Sequence, residues 1–195
     1  MKHFRLLILI TLQFTFVACR YKSPSMETMD FMAVGDSLST DAFDSLTLAM
    51  KNEIANGGWE KAIEVCRKKS PELTGMLSDE NTIIRRTSLK VRNPANAADD
   101  LEKSELAFYQ KLFDAGDSIK PKLVVEHTGT VHYFKPIKIQ PLCLNCHGKE
   151  GENIAPATLT ILKKTYPDDR ATGYKEGDLR GLWHITFNPF LNKED

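Results

Sequence analysis

Leu123-Val124-Val125-Glu126-His127-Thr128-Gly129-Thr130-Val131-His132-Tyr133-Phe134 reads as two β-strands folded back on one another. β-Branched and aromatic residues fill both runs, and Thr128-Gly129 supplies the turn between them. The expected hairpin covers residues 122–139. Pro136 and Pro141 limit the returning strand. It leads straight into Pro141-Leu142-Cys143-Leu144-Asn145-Cys146-His147-Gly148. Strands joined through hairpins pair antiparallel, so this stretch commits the chain to an antiparallel sheet.

Helical periods surround the hairpin. Before it, residues 99–115 place Leu101, Leu106, Tyr109, Leu112 and Phe113 largely on one stripe, with Asp99 or Asp100 as cap and Gly116 as stop. Residues 82–92 are β-rich, alternate at Ile84, Arg86 and Ser88, and end in the turn Asn93-Pro94-Ala95-Asn96. Residues 41–70 are helical with a break at Asn56-Gly57-Gly58. Phe43, Leu46, Met50 and Ile54 share a face before the break, and Trp59, Ala62, Ile63 and Cys66 share one after it. Pro71 is expected to stop this helix. After the hairpin come a short helix over 156–166, ended by Pro167, and a turn-rich, charged segment over 168–181. A last strand over 182–187 sets Trp183, Ile185 and Phe187 on one face and His184 on the other. Helices and strands in this order give an α+β fold, an antiparallel sheet flanked by helices.

Cys143-Leu144-Asn145-Cys146-His147 has the spacing of a c-type haem attachment site. Two thiols three positions apart can reach the two vinyl groups along one porphyrin edge and form thioethers. The adjacent His147 then lies under the iron as an axial ligand. A zinc site needs a second ligand pair at the usual spacing, and no other Cys-x-x-Cys or His-x-x-x-His pair occurs. A thioredoxin-type dithiol opens a helix after a strand, whereas this one follows a proline and precedes Gly148.

The amino terminus is expected to carry the chain to a compartment where such a haem is attached. Lys2 and Arg5 precede an apolar run over 6–17, and Ala18-Cys19 ends it. This is the pattern of a secretory signal, and the run is too short to span a bilayer. Phe16-Val17-Ala18-Cys19 resembles a bacterial lipobox, with Phe16 where Leu is usual. The expected organisation is a lipoprotein signal peptide over 1–18, lipid on Cys19, an exposed tether over 19–40, and one haem domain over 41–195. The lipid would hold the protein at a membrane surface of the bacterial periplasm or cell envelope. Ordinary cleavage with an incidental Cys19 is the alternative.

The full chain has 26 basic and 26 acidic residues, and losing Lys2 and Arg5 with the signal leaves it slightly acidic. With no basic run beyond Arg67-Lys68-Lys69, nucleic acid is not an expected partner. Of four cysteines, Cys19 goes to lipid and two to haem, so Cys66 has no disulfide partner. An unpaired cysteine on an apolar helix face is often a small buried hydrophobe. Beside a haem, Cys66 is also a candidate sixth ligand, with Arg67, Lys68 and Lys69 available to favour its thiolate. His127, His132, His184 and the methionines, Met76 foremost by position, compete for that role. Arg85, Arg86 and Arg92 are candidate contacts for the haem propionates, because guanidinium matches carboxylate in bidentate fashion.

Several of these segments together resemble a family of bacterial single-haem c-type proteins with a PAS-like fold, long catalogued as a domain of unknown function. They are the Cys66 helix, Arg85-Arg86-Thr87-Ser88-Leu89-Lys90-Val91-Arg92-Asn93-Pro94-Ala95-Asn96, the Cys143–His147 motif, and residues 166–181 with Gly177-Asp178-Leu179-Arg180-Gly181. The resemblance implies one covalent haem, His147 as one axial ligand, and a helix cysteine, here Cys66, as the other. Ala97-Ala98 stands where the family leads one to expect a proline, and His184 where it leads one to expect a small residue. His184 at the iron would displace Cys66.

The expected function is that of an exported monohaem protein in redox sensing or electron transfer, working with a redox partner that the sequence does not identify. No nucleophile elbow, triad or carboxylate pair points to hydrolysis. A gas-binding haem domain, in which NO or CO displaces Cys66, is the alternative. A haem peroxidase is a third reading, with His127, His132 and His184 as its only candidate acid–base groups.

Overall fold

The computed structural model describes residues 26–188. The expected signal peptide, Cys19 and the end of the chain beyond residue 188 lie outside that range. Four strands, β1 (Thr82–Thr87), β2 (Lys122–Val125), β3 (Val131–Lys138) and β4 (Leu179–Phe187), form one antiparallel sheet in the order β1-β4-β3-β2. The hairpin read from the sequence is β2–β3, with Val125 opposite Val131. β4 sits inside the sheet, its Ile185 flanked by Ile84 and Tyr133.

β1 is shorter than the run of β-formers that announced it. After Thr87 the backbone leaves the sheet, the Ser88 N–H donates to the Asn96 carbonyl, and Asn93 caps a short turn at Pro94–Asn96. Residues 88–96 thereby become a wall beside the sheet rather than an extension of it.

Helix α1 (Met26–Met76) covers one face of the sheet. Its only non-helical backbone is at Gly58, where φ is 73°. That is left-handed space, which glycine enters without a Cβ penalty. The first half packs Phe31, Met32, Leu38, Ala42 and Phe43 on Ile84, Val131, Tyr133, Trp183, Ile185 and Phe187. This corrects the expected tether: from residue 26 on, the chain is helix. Its inward stripe is muted because two of the packed positions are Gly35 and Ser39. A Cβ on Gly35 would lie 2.4 Å from the Tyr133 ring, so only glycine lets the ring approach. Asp36 then accepts hydrogen bonds from the Tyr133 hydroxyl (3.2 Å) and Lys135 (2.8 Å).

Pro71 does not stop α1. It costs one hydrogen bond, to the Arg67 carbonyl, and both residues are exposed where water can replace it. The Thr74 hydroxyl donates to the Ser70 and Pro71 carbonyls.

Helix α2 (Asp100–Asp114) covers the other face, where Leu106 and Tyr109 pack on Phe134, Leu179 and Leu182. Its capping box is formed by Asp99 and Glu102. Helix α4 (Pro156–Thr165) lies against the second half of α1 through Ile63, Ile154 and Leu162. Among the described residues no helix is long and apolar enough to cross a membrane.

Candidate functional site

Where the second half of α1, the wall at 88–96, the start of β4 and the end of β3 meet, they enclose a cleft. Its empty space, counted out to the mouth, is about 1470 Å³. β3 feeds its floor directly: Ile139 is followed by a 3-10 turn at Pro141–Cys143 and the single-turn helix α3 (Leu144–His147). Cys143, Cys146 and His147 all line the cleft, and so does Cys66 from α1.

The turn-rich segment 168–181 clamps this motif. Gly173 N–H donates to the Gly148 carbonyl (2.8 Å) and Tyr174 N–H to that of His147 (3.0 Å). A Cβ on Gly148 would meet Asn153 and the Leu144 carbonyl at 2.5 and 2.6 Å, so the position after the histidine admits no side chain. His147 Nδ1 donates to the Ala171 carbonyl at 2.7 Å. That bond fixes the tautomer and leaves Nε2 with the lone pair, the usual arrangement of a metal-ligating imidazole. Nε2 has no hydrogen-bond partner among the described residues. Burial, helped by the charges of Arg92 and Arg180, holds the ring well below the usual histidine range and therefore neutral.

The thiols are buried enough to feel it. Desolvation pushes Cys146 up to about 11 against the opposing charge of Arg92. It also raises Cys66, against Arg86 and Arg92. The cations that favour a Cys66 thiolate are therefore these two arginines from β1 and the wall, not Arg67, Lys68 and Lys69. Those three are exposed on the outer side of α1, where Lys68 pairs with Glu64.

Of the three arginines read as propionate contacts, Arg86 and Arg92 line the cleft and Arg85 does not. Strand alternation decides it. Arg85 points to the α2 face, 3.3 Å from Glu102 Oε1 and 2.9 Å from the Ala97 carbonyl. Arg92 is bound to Asp169 at 2.8 Å and also donates to the Cys146 carbonyl, which braces the motif. Arg180, which the sequence reading left without a role, joins them in the cleft and donates to Ser88. Its signal was its place in Gly177-Asp178-Leu179-Arg180-Gly181. Arg86 stacks over Trp183 and donates to the Ser70 hydroxyl. Among the described residues neither Arg86 nor Arg180 has a carboxylate within ion-pair distance. Two largely buried guanidiniums without counter-charge suit a ligand that brings its own anions.

The rival sixth ligands are elsewhere. His127 is exposed in the hairpin turn, Met76 is exposed at the end of α1, and His132 and His184 lie on the α2 face. Met50, one of the methionines weighed beside Met76, does line the cleft.

The family model described as Tll0287-like matches residues 22–188. The chain belongs to the Tll0287-like family. The resemblance drawn from its motifs is thereby borne out at the level of a haem-protein family. Among solved structures, that of the cyanobacterial heme-protein Tll0287 is similar, with 26% sequence identity and a TM-score of 0.56. The match covers 77% of this chain and 92% of that one. No curated protein matches. The family match begins before residue 26, in keeping with α1 starting within what was read as tether.

Proposed function

We propose that this Tll0287-like chain is an exported haem protein of redox sensing or electron transfer. It would carry one haem c on Cys143 and Cys146, in a PAS-like arrangement of sheet and helices. His147 would hold the iron from one side through Nε2, and Cys66 from the other. The observation that carries this reading is the shared cleft. An attachment motif, an oriented and neutral imidazole, a second sulfur from a distant helix and two guanidiniums without counter-charge all open onto it. The similar cyanobacterial protein is a heme-protein, which supports the same cofactor.

When bound, the haem supplies reversible one-electron chemistry. The residues do the rest. Ala171 fixes the His147 tautomer, Asp169 and Arg92 hold the motif loop, and Arg86 and Arg180 offer donors to two propionates. Trp59, Ile63, Leu162 and Trp183 give the cleft apolar walls that exclude water, and burial of this kind is one of the levers on a haem potential. The histidines weighed for a peroxidase lie outside the cleft, so no enzymatic role is proposed. Lipid on Cys19 would place the domain at a membrane facing the bacterial periplasm, within reach of a partner protein.

Covalent attachment is tested by denaturation. In protein made by cells able to mature c-type cytochromes, haem is expected to stay with the unfolded polypeptide and to be lost from the Cys143→Ser, Cys146→Ser double variant. Haem that leaves the wild-type chain on unfolding would count against attachment.

A further inference from the structure

On the α2 face of the sheet four ionisable groups lie in a line. His132 Nε2 is 3.1 Å from Glu126 Oε1, His132 Nδ1 is 2.9 Å from His184 Nε2, and His184 Nδ1 is 2.7 Å from Glu102 Oε1. Both histidines are buried. The register of β3 and β4 sets them side by side, His132 opposite Thr186 and His184 opposite Phe134.

Proton counting makes this line unusual. An ionised carboxylate only accepts, so each outer contact takes an N–H from its histidine. The central contact needs one more N–H. Three protons on four ring nitrogens make one imidazole and one imidazolium. Two neutral rings supply only two, and one contact then sets lone pair against lone pair.

We propose that His132 and His184 bind one shared extra proton, forming a buried proton site that exchanges with solvent through Glu126. The neighbouring charges fit. From β1 comes Arg85, beside Glu102; from α2 and its cap come Glu102, Glu105 and Asp99; from β2 comes Lys122, paired with Glu105 at 2.6 Å; from the hairpin comes Glu126. Lys122 balances Glu105, Arg85 balances Glu102, and Asp99 faces the helix N-terminus as its cap. Glu126 remains, and an imidazolium on His132 is its counter-charge. The His132 hydrogen bond holds the Glu126 carboxyl below its usual range.

A metal ion between the two rings would fit less well. It draws two ligand nitrogens toward a point off their connecting line. Here the ring centroids are 5.2 Å apart and the facing nitrogens 2.9 Å, a difference that the two ring radii account for. The nitrogens therefore face each other along the line of centres, as a shared proton requires. The Thr186 hydroxyl, 3.4 and 3.2 Å from those nitrogens, closes the site. Glu126 is the half-exposed end of the line. When the extra proton leaves, one contact loses its N–H; lost at the exposed end, it frees the Glu126 carboxylate from His132, while the backbone bonds of the turn remain.

The test is ¹⁵N-histidine NMR of the full chain between about pH 5 and pH 8, where histidine charge changes are read. Expected are three protons on the four ring nitrogens at the acid end, with one lost in a single step felt by both rings. Glu126→Gln keeps an acceptor but removes the charge. It is expected to weaken proton binding on the order of two- to fivefold, moving the step to lower pH. Two ring protons throughout would overturn the proposal, as would a step that Glu126→Gln does not move. So would a metal ion that co-purifies with the chain and whose removal alters both ring signals.

Discussion

Cys66 and Met50 are the two sulfurs that α1 turns into the cleft, one on each side of the Gly58 break. A thiolate donates more electron density to iron than a thioether and stabilises the oxidised form. Arg86 and Arg92 supply the positive charge that favours it. Cys66→Ala is expected to change the ligand-field bands and to raise the midpoint potential. The rise should be on the order of 100 mV, given that axial ligands move haem potentials over about 0.8 V. Redox titration followed by absorbance checks both, and unchanged bands would assign the sixth position to another group, with Met50 the next to replace. At this scale the motif was legible in sequence because its spacing stands out, and the structure lines the cleft with Cys143, Cys146 and His147. The arginines were not, because one step along β1 separates Arg85 on the α2 face from Arg86 in the cleft.

At the scale of elements, the joint between α1 and the sheet rests on close approach. Gly35 lies under the Tyr133 ring, whose hydroxyl is tied to Asp36. Gly35→Ala is expected to destabilise the fold by about 1–3 kcal/mol, the usual cost of overpacking, despite the better helix propensity of alanine. Urea denaturation checks it; a stabilised variant would mean that α1 does not seat there. The same joint explains what was hidden in the sequence. The hairpin, α2, α4 and the break at Gly58 were legible from period and turn chemistry. The first turns of α1 were not, since a stripe built on Gly35 and Ser39 lacks the apolar signal that periodicity detects. Nor was the length of β1, because hydrogen bonds that Ser88 donates to the distant Asn96 and Arg180 carbonyls end it. The continuation of α1 past Pro71 depended on exposure, which one residue type does not reveal.

For the molecule as a whole, the sheet separates two chemistries: a cleft lined by α1 and the motif loop, and a buried ionisable line under α2. Glu102 ties the second to overall stability. Burial alone would raise its carboxyl, but hydrogen bonds from His184, the Asp99 N–H and Thr87, with the charge of Arg85, hold it below its ordinary value of 4.5. A depressed carboxyl adds stability above its unfolded value and loses it as pH falls through the lower folded one. Stability is therefore expected to decline below about pH 4.5. Glu102→Gln should be less stable near neutrality, by about 1–3 kcal/mol for a disrupted buried network, and flatter on the acid side. Denaturant midpoints across pH check this, and an unaltered acid limb would place the titrating group elsewhere.

The central claim is that iron porphyrin fills the cleft between His147 and Cys66. It is tested most directly by absorption spectra of the purified protein, oxidised and reduced, with and without CO. Expected are the bands of a six-coordinate, low-spin haem c in both states, with a sulfur-ligand signature in the oxidised form that Cys66→Ala removes. A colourless protein from cells that mature c-type cytochromes would contradict it, as would zinc bound at Cys143 and Cys146.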